Sequence, residues 1–118
     1  MNSFATERLH IRPLQLSDSA DVFAYRSDPE VVRYQMWRPA SEREVVRFIR
    51  ELRGLAPGMP GIWFQFAMIE HESGALVGDC GVHVPLDDPD SVELGMTLRA
   101  DAQGKGYATE ALHALIGF

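Results

Sequence analysis

Residues 99–118, RADAQGKGYATEALHALIGF, constrain this chain more than any other stretch. Gln103-Gly104-Lys105-Gly106 sets one lysine between two glycines, a turn in which positive φ is free of steric cost and no Cβ shields the backbone N–H groups. From Tyr107 the pattern changes at once, with Ala108, Ala111, Leu112, Leu115 and Ile116 recurring at helical spacing. A glycine turn running straight into a helix gathers unpaired N–H donors and the positive end of the helix dipole at one point. Such a point favours an anion, and a phosphate or diphosphate is the usual occupant. Lys105 adds a mobile positive charge at the rim, while Thr109 and Glu110 are ordinary first-turn residues.

Spacing removes two familiar phosphate loops. A Walker A loop needs a glycine five positions before Gly104, where Arg99 stands, and Ser or Thr after the lysine, where Gly106 stands. A dinucleotide fingerprint needs a third glycine at Thr109 and an acidic residue about 20 positions on, past residue 118. The alternative left by this stretch alone is a glycine-rich helix entry that binds nothing.

The segments before the loop read as alternating strands and amphipathic helices. Leu9 and Ile11 alternate with polar neighbours, a half-buried strand that Pro13 ends or marks as an edge. Ser17 or Asp18 caps a short helix reaching Tyr25 or Arg26, and Asp28-Pro29 opens another turn. Ser41 with Glu44 three residues on is a capping box, and Val45, Phe48, Ile49 and Leu52 form the apolar face behind it until Gly54. The proline- and glycine-rich run 56–61 is a connector. Residues 62–69, 76–84 and 92–98 are three antiparallel strands, in which Gly78, Gly81 and Gly95 signal bulges or close backbone approach. At 118 residues this is one α+β domain built on a meander sheet.

A net charge of −6 argues against nucleic acid, which needs a basic face, and suits a cationic partner such as an amine. No apolar run is long enough to cross a membrane, and the N-terminus lacks a signal-peptide pattern. A single cysteine, Cys80, fits a reducing cytoplasm and reads as a buried thiol. His10, His71, His83 and His113 show no paired metal-ligand spacing and read as structural or surface histidines, so no metal is expected.

The run Gln103-Gly104-Lys105-Gly106-Tyr107-Ala108 resembles the diphosphate loop of the GNAT N-acetyltransferases, whose pattern is Arg/Gln-x-x-Gly-x-Gly/Ala. Gln103 fills its first position, Gly106 the first glycine and Ala108 the last. Extended to Ala111, the run is similar to the ribosomal-protein (RimJ/RimL-like) branch of that family. So are the opening Thr-Glu-Arg-Leu-x-Ile-Arg-Pro-Leu at 6–14 and Val-Glu-Leu-Gly-Met-Thr-Leu at 92–98. The resemblance covers residues 1–118 as one acetyltransferase domain and implies a mixed, mainly antiparallel central sheet flanked by helices. Family members continue with a further strand, a helix and usually two more strands. The chain is therefore expected to be C-terminally truncated, with an open sheet edge that predicts marginal stability or self-association, for example as a homodimer.

The resemblance also implies a chemistry: acetyl-CoA as co-substrate, and direct attack by an amine in a ternary complex. The acceptor would be a protein N-terminal α-amino group or a small-molecule amine. Backbone groups around Leu98 would pair with the pantetheine arm, the Leu98 N–H facing the thioester carbonyl. Gln103, Gly104, Lys105, Gly106, Tyr107, Ala108 and Thr109 would hold the diphosphate. Glu93 is the candidate base, with a surface-facing glutamate as the alternative and Asp79 as second choice. The acid is unassigned, since Tyr107 lies in the cofactor turn and is expected to pack or to contact phosphate. Two other functions stay open: an acyl-CoA-binding module or inactive truncated enzyme, and a structural domain that binds no ligand.

Overall fold

The computed structural model describes residues 3–32 and 37–116. Five strands form one sheet in chain order: β1 (Phe4–Ala5), β2 (Leu9–Pro13), β3 (Trp63–Glu70), β4 (Leu76–His83) and β5 (Glu93–Leu98), every neighbouring pair antiparallel. Three helices, α1 (Ser19–Arg26), α2 (Pro29–Val32) and α3 (Glu42–Glu51), lie between β2 and β3 in the chain, and α4 (Tyr107–Ile116) follows β5. No helix among the described residues is long and apolar enough to cross a membrane.

Strand alternation divides the core into two layers. On one face Phe64, Phe66 and Met68 of β3, with Cys80 and Val82 of β4 and Leu9 and Ile11 of β2, pack beneath Tyr107, Ala111 and Leu115 of α4. On the other, Ala67 and Leu76 meet Val22 and Tyr25 of α1 and Val45 and Ile49 of α3. Leu9, Ile11, Phe66 and Met68 are wholly buried, each contributing about 1.5–3 kcal/mol through the apolar area it removes from water. Burial raises the pKa of the Cys80 thiol, and neighbouring Asp79 raises it further.

The α+β architecture with a helix-flanked antiparallel sheet is the one expected, and the departures are local. β1 carries too few residues for a periodic signal; it exists because Phe4 and Ala5 pair with Ile11 and His10. Pro13 does end β2, yet β2 is an interior strand. The Leu14 N–H donates to Gln65 O on β3 at 3.3 Å, so the Pro13 nitrogen faces the other side, beyond the reach of β1. Half of the capping box forms as expected, with Ser41 Oγ accepting from the Glu44 N–H. The reciprocal half lands one residue early, on the Ala40 N–H. The interior glycines are places of close approach. A Cβ at Gly78 would stand 2.2 Å from Thr97 O, and one at Gly81 1.8 Å from Gln65 Oε1. Between Met68 and Ile69 the β3–β4 register shifts past Val77.

Candidate active site

The end of β5 is fastened to β4 by Arg99, whose N–H donates to Val77 O at 2.8 Å and whose Nη1 donates to Leu76 O at 3.1 Å. Because that N–H faces β4, alternation turns the backbone groups of Leu98, Met96 and Leu94 to the outer edge of the sheet. Gln103 reaches back to this edge, its Nε2 donating to Leu98 O at 3.3 Å. Leu98 thus presents an outward N–H on the last strand of the sheet order.

Beyond a short 3-10 turn at Ala100–Ala102 comes the glycine loop. Gly104 and Gly106 adopt φ of +77° and +84°, the left-handed region that residues with a Cβ avoid. A Cβ at Gly106 would also stand 3.2 Å from Arg8 Nη2. The first intrahelical bond of α4 runs from the Glu110 N–H to Gly106 O at 3.0 Å. The N–H groups of residues 104–109 find no acceptor among the described residues. Gln103, Gly104, Lys105, Gly106 and Thr109 are exposed and Ala108 is half-buried.

A polar clasp holds the mouth of α4 against the start of β2. Glu110 accepts from Thr6 Oγ1, from the Arg8 N–H at 2.8 Å and from Arg8 Nε at 2.7 Å. Burial works to raise the Glu110 pKa, but the bonds from Thr6 and Arg8 outweigh it and the pKa is lowered. Arg8 Nη1 donates to Lys105 O at 2.7 Å, and the guanidinium lies 4.4 Å over the Tyr107 ring. Tyr107 is buried and its hydroxyl donates to Glu70. Its side chain is therefore committed to packing and to Glu70, and only its N–H belongs to the exposed row.

Glu93 opens β5, exposed, with its carboxylate 2.8 Å from His83 Nδ1. Leu98 stands five positions further on, and at about 3.3 Å per step the two lie roughly 16 Å apart along the strand. The His83 ring stacks on Trp63, centroids 5.0 Å apart at 11°. Trp63, on β3, in turn lies across β4 and reaches β5: a Cβ at Gly81 would be 3.2 Å from its ring, and one at Gly95 3.4 Å. Sequence reasoning assigned His83 to structure or surface. Its partnership follows from the β4–β5 register, in which His83 stands opposite Glu93. The signal was present only as a count across the turn at 84–92.

Asp79, the second-choice base, belongs to a different arrangement. It is 1% exposed and accepts from Arg26 Nη2 at 2.6 Å, Arg26 Nε at 3.1 Å, Gln65 Nε2 at 2.7 Å and the Tyr25 hydroxyl. Burial raises the Tyr25 pKa well above its ordinary value, and Asp79 adds to the rise. For Arg26, burial opposes the charge, but Asp79 more than offsets it and the pKa is raised. A carboxylate so enclosed and so fully engaged is a structural counter-ion rather than a proton acceptor for a diffusing amine.

Above this cluster a cavity of about 340 Å³ opens over the middle of β5. Trp37, Phe48 and Trp63 wall it; Gly95, Thr97 and Gln65 form the floor. Of its β5 lining, Gly95 and Thr97 share a strand face with Glu93, since residues 93, 95 and 97 alternate to one side, and Met96 between them lines it as well.

The chain matches the Acetyltransferase (GNAT) domain family over residues 8–118. It is 30% identical to the uncharacterized N-acetyltransferase p20 of Bacillus licheniformis, over all of this chain and 66% of the relative. A GNAT-family acetyltransferase structure from Bacillus anthracis superposes with a TM-score of 0.79 at 26% identity, covering 97% of this chain and 63% of its own. A putative ribosomal-protein-serine acetyltransferase from Vibrio cholerae shares the fold, with a TM-score of 0.74 at 24% identity, over 97% of this chain and 64% of its own. The chain thus spans just under two thirds of the length of each.

Proposed function

The chain belongs to the GNAT acetyltransferase family, and from that premise we propose that it transfers an acetyl group from acetyl-CoA to a primary amine within a ternary complex. The observation that carries this reading is the row of unpaired N–H groups at residues 104–109, beside the outward edge of β5. The exposed amides, the helix dipole and Lys105 suit a diphosphate in charge and in donor supply. No Cβ at Gly104 or Gly106 obstructs close approach, so the chain's own residues fit the group. From the loop, the outward N–H groups of Leu98, Met96 and Leu94 lead along the edge toward Glu93. An extended arm bound there pairs with this row as a further strand would. Because Leu98 lies roughly 16 Å from Glu93 along the strand, a thioester within reach of Glu93 takes its carbonyl donor from the outward N–H of Leu94 or Met96 rather than from that of Leu98. A donor fixed there stabilises the developing oxyanion, a device worth about 3–4 kcal/mol.

An alkylamine titrates near ~10.4 and attacks only as the free base. Glu93 takes the proton in this reading, directly or through His83, whose Nδ1 it already contacts. A protein α-amino group is one acceptor class, supported by the RimJ/RimL-like run from Gln103 to Ala111. A reducing cytoplasm is the compartment in which such an enzyme and its free thiol would work.

Calorimetry with acetyl-CoA on the native chain and on Gly106→Val tests the reading. We expect saturable one-to-one binding to the native chain and loss of at least about tenfold in affinity for the variant, whose side chain must adopt a left-handed conformation costing roughly 1–2 kcal/mol or more. Equal affinity for both would remove the loop from the site. Binding without release of CoA in the presence of any amine would leave an acyl-CoA-binding module instead of an enzyme.

A further inference from the structure

The cavity over β5 bears on the identity of the acceptor, provided the acetyltransferase reading on which this inference rests is right. The cavity walls are aromatic, Trp37 and Phe48 meeting at 4.7 Å between centroids and Trp63 closing the opposite side. Among the described residues that line it there is no aspartate or glutamate, and Arg26 is the one charged residue. Its charge is met by Asp79 at 2.6 Å and its guanidinium lies 4.8 Å over the Trp37 ring, so that face of Trp37 is already taken by a cation. A second ammonium group entering here would lose its hydration and find no carboxylate. An aryl or alkyl group would instead exchange water for ring faces, and the floor glycine leaves room for it against the strand. Gly95 and Thr97 of the cavity share one face of β5 with Glu93, so a group seated in the cavity carries a short aminoalkyl chain toward the Glu93–His83 pair.

We propose that this cavity selects, as acceptor, a primary amine with an uncharged aromatic or bulky apolar substituent, whether an arylalkylamine or a peptide whose first side chain is of that kind. Polyamines and small hydroxylated amines are discriminated against. Trp63 supplies the contact that distinguishes them.

The test measures amine binding to the native chain, with CoA present, by quenching of tryptophan fluorescence, and in parallel CoA release from acetyl-CoA. The probes are phenethylamine, hexylamine, ethanolamine and spermidine. Phenethylamine is expected to bind at least about tenfold tighter than ethanolamine or spermidine, the discrimination that one or two apolar groups give in a fitted pocket. Two variants then probe the wall. Trp63→Ala removes the preference while acetyl-CoA affinity is unchanged, and Gly95→Val fills the floor beneath the same ring. A native chain that binds spermidine as tightly as phenethylamine, or variants that keep the aromatic preference, would overturn the assignment. Failure of acetyl-CoA to bind would strike the acetyltransferase reading, while the amine order read by fluorescence would still decide this one.

Discussion

Removing the Asp79 carboxylate should cost this fold a large share of its stability, and removing its partner as well should restore much of it. In Asp79→Ala, Arg26, 5% exposed in the native fold, loses the carboxylate that lies 2.6 Å from its Nη2. The hydroxyl of Tyr25 and the amide of Gln65 lose their acceptor at the same time. Breaking a buried pair from one side costs about 3–5 kcal/mol, against a total of roughly 5–15 kcal/mol for a typical domain. With a urea m-value of about 2 kcal/mol/M, a loss of about 4 kcal/mol moves the midpoint down by roughly 2 M. The double variant Arg26→Met, Asp79→Leu deletes the charge together with its partner and is expected to recover at least half of that. Equilibrium urea unfolding followed by far-UV circular dichroism measures both. A single variant whose midpoint falls by less than about 0.3 M, or a double variant no better than the single, would show that the ion pair is not what holds α1 to β4.

Two other substitutions test neighbouring parts of the structure. Gly81→Ala places a methyl 1.8 Å from Gln65 Oε1 and should cost about 1–3 kcal/mol by overpacking. Gly95→Ala, whose Cβ meets Trp63 at an ordinary 3.4 Å, should be nearly silent; a thermal melt that ranks them the other way contradicts the packing described. Glu110 has a lowered pKa in the folded state, so its contribution is complete above the unfolded glutamate value of about 4.3 and is lost as pH falls through the folded value. Stability profiles of native chain and Glu110→Gln should therefore converge in acid and separate toward neutrality. Parallel curves would refute the clasp.

The glycine loop was legible because its signal is local: two positive-φ positions and an immediate change to helical period both lie within ten consecutive residues. The strands of the meander were legible for the same reason, through their composition and their turns. What escaped depends on register. The β3–β4 shift at Met68 and Ile69 decides which residues of β4 face α1, and no single residue announces it. Asp79 reads in sequence as one acid on a strand, free to act. Only the packing of α1 on the sheet brings Tyr25 and Arg26 to it, from 54 and 53 positions away. The cavity is less legible still, because its floor is a missing side chain at Gly95 and its wall a tryptophan reaching over from two strands away.

The outward amides of β5 make two uses of the same atoms mutually exclusive. Whatever extended chain occupies that border, a bound pantetheine or a strand from another molecule, satisfies the hydrogen bonds the other would require. If coenzyme A binds along this border as proposed, protein stored without it should clump faster than protein saturated with it, the ligand acting as a shield against misassembly.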